Sequence, residues 1–213
     1  KVTSLLGRNG VGKTTLMKLL LGIFEPVEGD ISIGSMKLKN LSAKVWRSHC
    51  GVVLQDGYLF SDTLAANIAL GDETINRKQL LSAARLACID TFIDSLPMGY
   101  QTKIGSEGLG LSQGQKQRLL IARALYKQPE YLFFDEATNA LDAANERKVI
   151  DHLGAFSKGR TSVVIAHRLS TVKNADQIVV LDKGTIVELG NHHELIEKQG
   201  VYYHLVKEQL ALD

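Results

Sequence analysis

The sequence has little of several things, and each shortage excludes something. Only two cysteines occur in 213 residues, Cys50 and Cys88. They lack metal-ligand spacing and form no disulfide framework, so they read as reduced thiols of a cytosolic protein. Long apolar runs are missing too. The longest, Leu16 to Phe24, is broken by Lys18 and Gly22, whereas a bilayer span needs about 20 apolar residues. The net charge of +2 argues neither for nor against nucleic acid, but the basic residues are scattered with no run of five, so no nucleic-acid partner is expected. Signal peptide, internal repeats and low-complexity tracts are absent as well. Lys1 is not a start methionine and a strand-like run begins at once, so the chain reads as a domain of something longer. What remains is 45% hydrophobic and 23% charged. That is the composition of a soluble globular protein with one substantial core and room for a smaller lobe.

Against that plain background one stretch stands out: Gly7, Arg8, Asn9, Gly10, Val11, Gly12, Lys13, Thr14 and Thr15. It fits G-x-x-x-x-G-K-S/T, the phosphate-cradling P-loop. The apolar run Val2 to Leu6 ahead of it reads as a buried strand, and Thr14 to Leu21 behind it as a helix stopped by Gly22. Three glycines let the backbone turn sharply and aim several N–H groups at phosphate oxygens. The helix N-terminus adds unpaired donors and partial positive charge. Lys13 would reach the terminal phosphates and the Thr14 hydroxyl would ligate Mg²⁺. The alternative is a glycine turn that precedes a helix by chance; the strand and helix flanks argue against it.

The rest of the chain sorts into alternating strands and helices around a helical stretch. Asp30 to Ile33 and Gly51 to Leu54 read as strands, with Ser42 placed to cap a brief helix between them. From Ser61 to Leu125 the pattern turns helical, with starts at Ser61-Asp62-Thr63, at Asn76 and near Thr91. This predicts a helical lobe over 61–125, closed by a glycine-rich loop and by a helix that Ser112 caps. Alternation then resumes. Tyr131 to Phe134 and Thr161 to Ala166 are strands, and Asp142 caps a helix between them. Gln177 to Leu181 and Thr185 to Leu189 form a hairpin around a three-residue turn, Asp182-Lys183-Gly184. Helices broken near Gly200 finish the chain. The fold expected is α/β, a P-loop NTPase with a mostly parallel sheet and an inserted helical lobe.

Function follows from where polar residues fall. In open α/β sheets ligands bind beyond the carboxyl ends of the strands. Four apolar runs here end in groups that suit a nucleotide: the P-loop after Leu6, Gln55 after Leu54, Asp135-Glu136 after Phe134 and His167 after Ala166. Asp135 suits a carboxylate that holds Mg²⁺, Glu136 a general base for water, His167 a γ-phosphate contact and Gln55 a ligand of water or Mg²⁺. Adjacent acids after a strand also occur as a solvated loop, and a lone His or Gln is non-specific; the P-loop gives them their weight. Ser112 opens a second helix N-terminus able to hold an anion, unless it is simply a cap.

With these residues in place the chain resembles the ATP-binding cassette (ABC) ATPases, specifically the nucleotide-binding domain of exporters. The resemblance rests on GRNGVGKTT, the Q-loop glutamine in VVLQD, the signature LSQGQKQR, the Walker B run YLFFDE, the D-loop NALD and the histidine of IAHRLST. It covers nearly all of residues 1–213 and implies ATP and Mg²⁺ as cofactors. Lys13, the other P-loop residues and Gln55 would bind ATP, Thr14, Gln55 and Asp135 would hold the metal, and Glu136 and His167 would be catalytic. It further implies two such domains paired head to tail. Ser112, Gln113, Gly114 and Gln115 of the signature, with Asp142 of the D-loop, would then face the partner's ATP. The other implied partner is a transmembrane domain, which places the chain at the cytoplasmic face of a membrane. One departure is Gln113, where the family usually has glycine; its phosphate contacts come from the flanking Ser112 and Gly114. The segments PMGYQT, ALYKQP and DEATNALD are similar to exporters of peptides or bacteriocins, often fused to a leader-cleaving peptidase. A soluble ABC ATPase acting on DNA or ribosomes and a non-hydrolysing regulatory module are the competing readings.

Overall fold

The computed structural model describes residues 1–105, 108–165 and 172–210. In chain order the strands are β1 (Val2–Leu6), β2 (Ser32–Ile33), β3 (Met36–Lys37), β4 (Cys50–Val53), β5 (Tyr131–Asp135), β6 (Thr161–Ile165), β7 (Gln177–Asp182) and β8 (Thr185–Gly190). The helices are α1 (Lys13–Leu20), α2 (Ala43–Ser48), α3 (Leu64–Ile68), α4 (Arg77–Leu86), α5 (Asp90–Asp94), α6 (Gln113–Tyr126), α7 (Ala143–Phe156), α8 (His192–Lys198) and α9 (Val201–Leu210). The chain divides into two units. One comprises Lys1–Cys50, Tyr131–Glu136 and Gly159–Asp213; the other comprises Gly51–Glu130 and Ala137–Lys158.

The first unit is organised by its sheet, in which the strands run β5-β6-β1-β7-β8. β1 is parallel to β6, with Ser4 opposite Val164, and to β7, with Leu5 opposite Val179; β6 is in turn parallel to β5. Ser4, Leu5 and Leu6 are buried in succession. A strand covered on both faces buries consecutive residues in this way, which is why parallel strands lack alternation. β8 pairs antiparallel with β7 and exposes Ile186, Val187 and Leu189. The turn before it is tighter than the three residues expected, because Asp182 pairs with Thr185 across the ladder. Only Lys183 (φ 46°) and Gly184 (φ 79°) remain, both left-handed. A two-residue type I′ connection needs that conformation at both positions. The strand expected over 30–33 is also shorter, with only β2 paired, antiparallel to β3.

Two clusters fasten the helices of this unit. Trp46 on α2 is buried, donates from Nε1 to the Leu20 carbonyl at 3.1 Å, and lies 4.8 Å from the Tyr131 ring on β5. Cys50 donates its thiol to the Trp46 carbonyl at 3.3 Å, and burial pushes that thiol up to about 12. It is therefore protonated and unreactive at neutral pH. At the other end Leu6, Ile178 and Val180 pack with Leu195, Tyr202 and Val206 of α8 and α9. The Tyr202 hydroxyl sits 2.7 Å from His192 Nδ1, and burial pushes its phenol up to about 12.

The start of α9 is held by a residue from β8. The Glu188 carboxylate accepts from the backbone N–H groups of Val201 and Tyr202, each at 2.8 Å. Helix N-termini leave such donors unpaired, and a carboxylate there also meets favourable partial charge. Glu188→Ala is expected to cost about 1 kcal/mol, lowering the melting temperature by about 2–4 °C. Glu188→Gln keeps one of the two acceptor oxygens and turns the other into a donor, so it should recover only part of the loss in thermal denaturation. An unshifted Glu188→Ala transition would rule out the cap.

The second unit contains all helices of the expected 61–125 lobe, and α7 besides. Thr63 caps α3 by accepting from the Ala66 N–H at 3.1 Å. Asn76 caps α4 in the same way through Gln79 at 3.2 Å. α4 presents buried Leu80, Ala83 and Ala84, and the fully buried core of the unit includes Leu119, Ile121 and Leu125 of α6. Small alanines at such positions let helix axes approach closely. No helix among the described residues is long and apolar enough to cross a membrane.

Candidate active site

The P-loop lies between β1 and α1, as its flanks require. Gly7 is buried, with φ 152°, and a β-carbon there would run into the Leu181 carbonyl oxygen. Gly10 (φ 81°) and Gly12 (φ 102°) are left-handed, and a β-carbon on either would meet nothing within 4 Å. The first glycine is therefore demanded by crowding and the other two by backbone conformation. The space beside both is open. Gly12 is the N-cap of α1, offers no side chain, and no acidic residue occupies the first turn. The helix thus turns its donors and its positive end toward an anion.

Lys13 is buried and folds back on the loop, donating from Nζ to the Gly7 carbonyl at 2.7 Å and to the Arg8 carbonyl at 2.9 Å. Burial lowers its pKa, while the charges of Glu136 and Asp135 oppose that fall. The ammonium braces the loop from inside. Thr14 donates from Oγ1 to Asp135 Oδ2 at 2.8 Å, across 121 positions of sequence. β1 and β5 flank β6, and their parallel register brings their carboxyl ends to one edge. Asp135 is only 1% exposed. A hydroxyl and a carboxylate at this spacing fit two neighbouring ligands of Mg²⁺, since octahedral bonds of 2.0–2.1 Å put adjacent oxygens about 2.9 Å apart.

Glu136 follows in a left-handed conformation, φ 52°, and its N–H donates to the Ile165 carbonyl at 3.1 Å. The conformation costs a non-glycine residue about 1–2 kcal/mol. Such strain clusters at functional sites because the backbone is being aimed. Arg8, Asn9 and Thr15 are exposed around the loop, and Arg8 lies 3.5 Å from Glu208. That pair is largely solvated and contributes little. His167 lies outside the described residues. Gln55 belongs to the second unit and stands exposed two residues past β4.

The signature and D-loop residues sit together in the second unit. Ser112 and Gln115 form a full capping box on α6: Ser112 Oγ accepts from the Gln115 N–H at 3.2 Å, and Gln115 Oε1 from the Ser112 N–H at 2.8 Å. Gln113 is exposed, so the position tolerates a long side chain. Gly114 does not have that freedom, because a β-carbon there would stand 3.1 Å from the Ala140 carbonyl oxygen. Asp142 caps α7, accepting from Asn145 N at 3.0 Å and Nδ2 at 2.7 Å; these bonds hold its carboxyl below the usual range.

Two residues were missed by sequence reasoning. Arg118 donates to the Cys88 carbonyl at 2.6 Å, and Arg123 is half-buried and makes three hydrogen bonds, one to the loop at Tyr58 and two to Asn67 of α3. Both read as ordinary polar residues of a helix, and only their placement distinguishes them.

A glycine cradle, an internal lysine and a hydroxyl–carboxylate pair at the ends of parallel strands define a P-loop nucleoside triphosphatase. Comparison with known proteins narrows this. A family model described as ABC transporter matches residues 1–139. Heavy metal tolerance factor 1 of Caenorhabditis elegans is 46% identical over 211 residues, covering 99% of this chain and 26% of that protein. An ATP-dependent lipid A-core flippase of Saccharophagus degradans is 45% identical over 211 residues, covering 99% of this chain and 36% of its own length. The solved structure of a bacterial Atm1-family ABC exporter with ATP bound is 40% identical, with a TM-score of 0.93, over 98% of this chain and 37% of that one. The chain belongs to the ABC transporter family and carries its ATP-hydrolysing domain. It spans about a third or less of the length of these relatives. The narrower likeness to peptide and bacteriocin exporters is not what they display; their names speak of heavy metals and of lipid A.

Proposed function

We propose that this chain is the motor of an exporter. It would bind MgATP at the P-loop and hydrolyse it with Glu136 as general base, driving a transmembrane domain at the cytoplasmic face of a membrane. The observation that carries the reading is the meeting of Thr14 and Asp135 beside the internal Lys13. Those two residues, with Gln55 as a further ligand, would hold Mg²⁺, which supplies charge neutralisation at the β- and γ-phosphates. Lys13 binds and orients the same oxygens. Glu136 accepts a proton from water, and His167 contacts the γ-phosphate. Peptide export rests on three short segments alone, while the relatives' names favour other cargo, so the cargo class proposed is not restricted to peptides.

Each site would be completed by a second copy, whose Ser112, Gln113, Gly114, Gln115 and Asp142 face the first copy's nucleotide. In support, Ser112 opens a fourteen-residue helix whose N-terminus is exposed, and a two-fold pair makes such a contact reciprocal. The test mixes full-length protomers bearing Lys13→Ala with protomers bearing Ser112→Arg, each inactive alone. In a mixed dimer one site carries both lesions and the other none. Random pairing makes half the dimers mixed, so up to about a quarter of wild-type turnover should return. If Ser112 served its own chain's nucleotide, every site would be damaged. Neither turnover nor trapped nucleotide, with mixed dimers shown to form, would reject the arrangement.

A further inference from the structure

We infer that Arg123 is a positioning residue that joins the loop after Gln55 to the signature helix, so that the two move as one body. The loop carries an exposed aromatic pair, Tyr58 and Phe60, whose rings meet edge to face at 5.3 Å. Its seat is the middle of α6, two to three turns beyond Ser112. Gly57 lies so close to α6 that a β-carbon there would run into Leu120 Cδ1. One turn further on, Arg123 donates from Nη1 to the Tyr58 carbonyl at 2.7 Å, and its guanidinium carbon lies 5.7 Å from the Phe60 ring centroid. Its Nε and Nη2 donate to the Asn67 backbone carbonyl at 2.7 Å and side-chain Oδ1 at 3.0 Å.

Asn67 completes the joint from the other side. It is 1% exposed, accepts from the Phe60 N–H at 2.8 Å, and donates to the carbonyls of Phe60 at 2.9 Å and Thr63 at 3.0 Å. The side-chain amide thus clamps both backbone groups of Phe60. Among the described residues every acceptor of Arg123 is a carbonyl oxygen, and no carboxylate pairs with it. A half-buried cation held this way acts through its shape. The planar fork reaches acceptors in several directions, which a lysine ammonium on a flexible stem does not reproduce. A surface arginine needs no such enclosure. Displacement of the Ser112 end of α6 therefore carries the aromatic pair, and the chain just past Gln55, along with it.

This goes beyond the proposed function and takes from it only that the Ser112 end of α6 meets nucleotide. The test is a distance measurement between spin labels in the full-length protein, with Cys50 and Cys88 replaced by alanine and serine. One pair sits at Tyr58→Cys and Lys127→Cys; a control pair along α6 sits at Lys116→Cys and Lys127→Cys. The first pair is expected to give one narrow distance that ATP does not shift. Arg123→Lys and the milder Asn67→Ser should abolish that narrow peak while the control peak and ATP affinity persist. A simple loss of fold would take the control peak as well, and charge retention in Arg123→Lys would rescue a purely electrostatic role. A narrow peak surviving both substitutions, or a wild-type distance that changes with ATP, overturns the inference. ATP affinity, read separately by calorimetry, reports on the nucleotide site itself.

Discussion

Glu136→Gln is expected to slow ATP turnover by about 10²–10⁴-fold, the usual worth of a positioned general base, while leaving ATP binding intact. The residue stands immediately after β5, next in sequence to the buried Asp135 and within electrostatic reach of Lys13. Its left-handed backbone and its N–H bond to Ile165 fix where the side chain begins. The amide keeps the size and one acceptor oxygen, and loses the charge and with it the capacity to take a proton from water. Glu136→Gly separates chemistry from folding. Glycine adopts φ 52° without strain, so this variant should keep the backbone turn and hydrolyse as poorly as the glutamine. Phosphate release and calorimetric ATP binding, measured on the same preparation, check both halves. Wild-type turnover in Glu136→Gln would remove the residue from the mechanism.

Lys13→Ala should act on the other quantity. Its ammonium is the buried cation of the cradle, and hydrogen bonds to charged groups contribute about 1.5–3 kcal/mol. Losing it should weaken ATP binding by about 10- to 150-fold. The empty loop suffers too, because the carbonyls of Gly7 and Arg8 lose the donor that braces them at 2.7 and 2.9 Å. The variant should therefore melt lower even without nucleotide, a result that distinguishes an internal brace from a surface cation. Unchanged calorimetric affinity would defeat the assignment of the P-loop as the nucleotide site. Together the two substitutions divide the site: one removes binding, the other removes turnover after binding.

The sequence by itself determined much of what depends on neighbours three or four positions apart, though Ser42, placed to cap α2, makes no side-chain cap bond. Ser112, Asn76 and Asp142 were legible as caps because a cap bonds its own helix at the third residue on. The P-loop was legible because its glycines and lysine act within nine consecutive residues. The hairpin at Lys183-Gly184 was visible for the same reason, though its length was overestimated by one residue, since nothing local says that Asp182 keeps its ladder partner. Alternation of strand and helix gave the fold class, and apolar runs showed which strands were covered on both faces.

Only the tertiary structure decided the rest. That Asp135 meets Thr14 depends on the parallel register through β6, not on the 121 positions between them. Gly114 is crowded, and Gln113 is not, because the Ala140 carbonyl approaches one position while the other is exposed. Glu188 is a cap for a helix thirteen residues later, beyond the reach of any capping rule. Arg123 and Asn67 carry no signal at all, since an arginine late in one helix and an asparagine in a single-turn helix are commonplace. Their meaning lies in which carbonyls the packing of α3 against α6 brings within hydrogen-bond distance. Local propensity acts over one turn of chain, whereas side-chain partners are chosen by the register of strands and the crossing of helices.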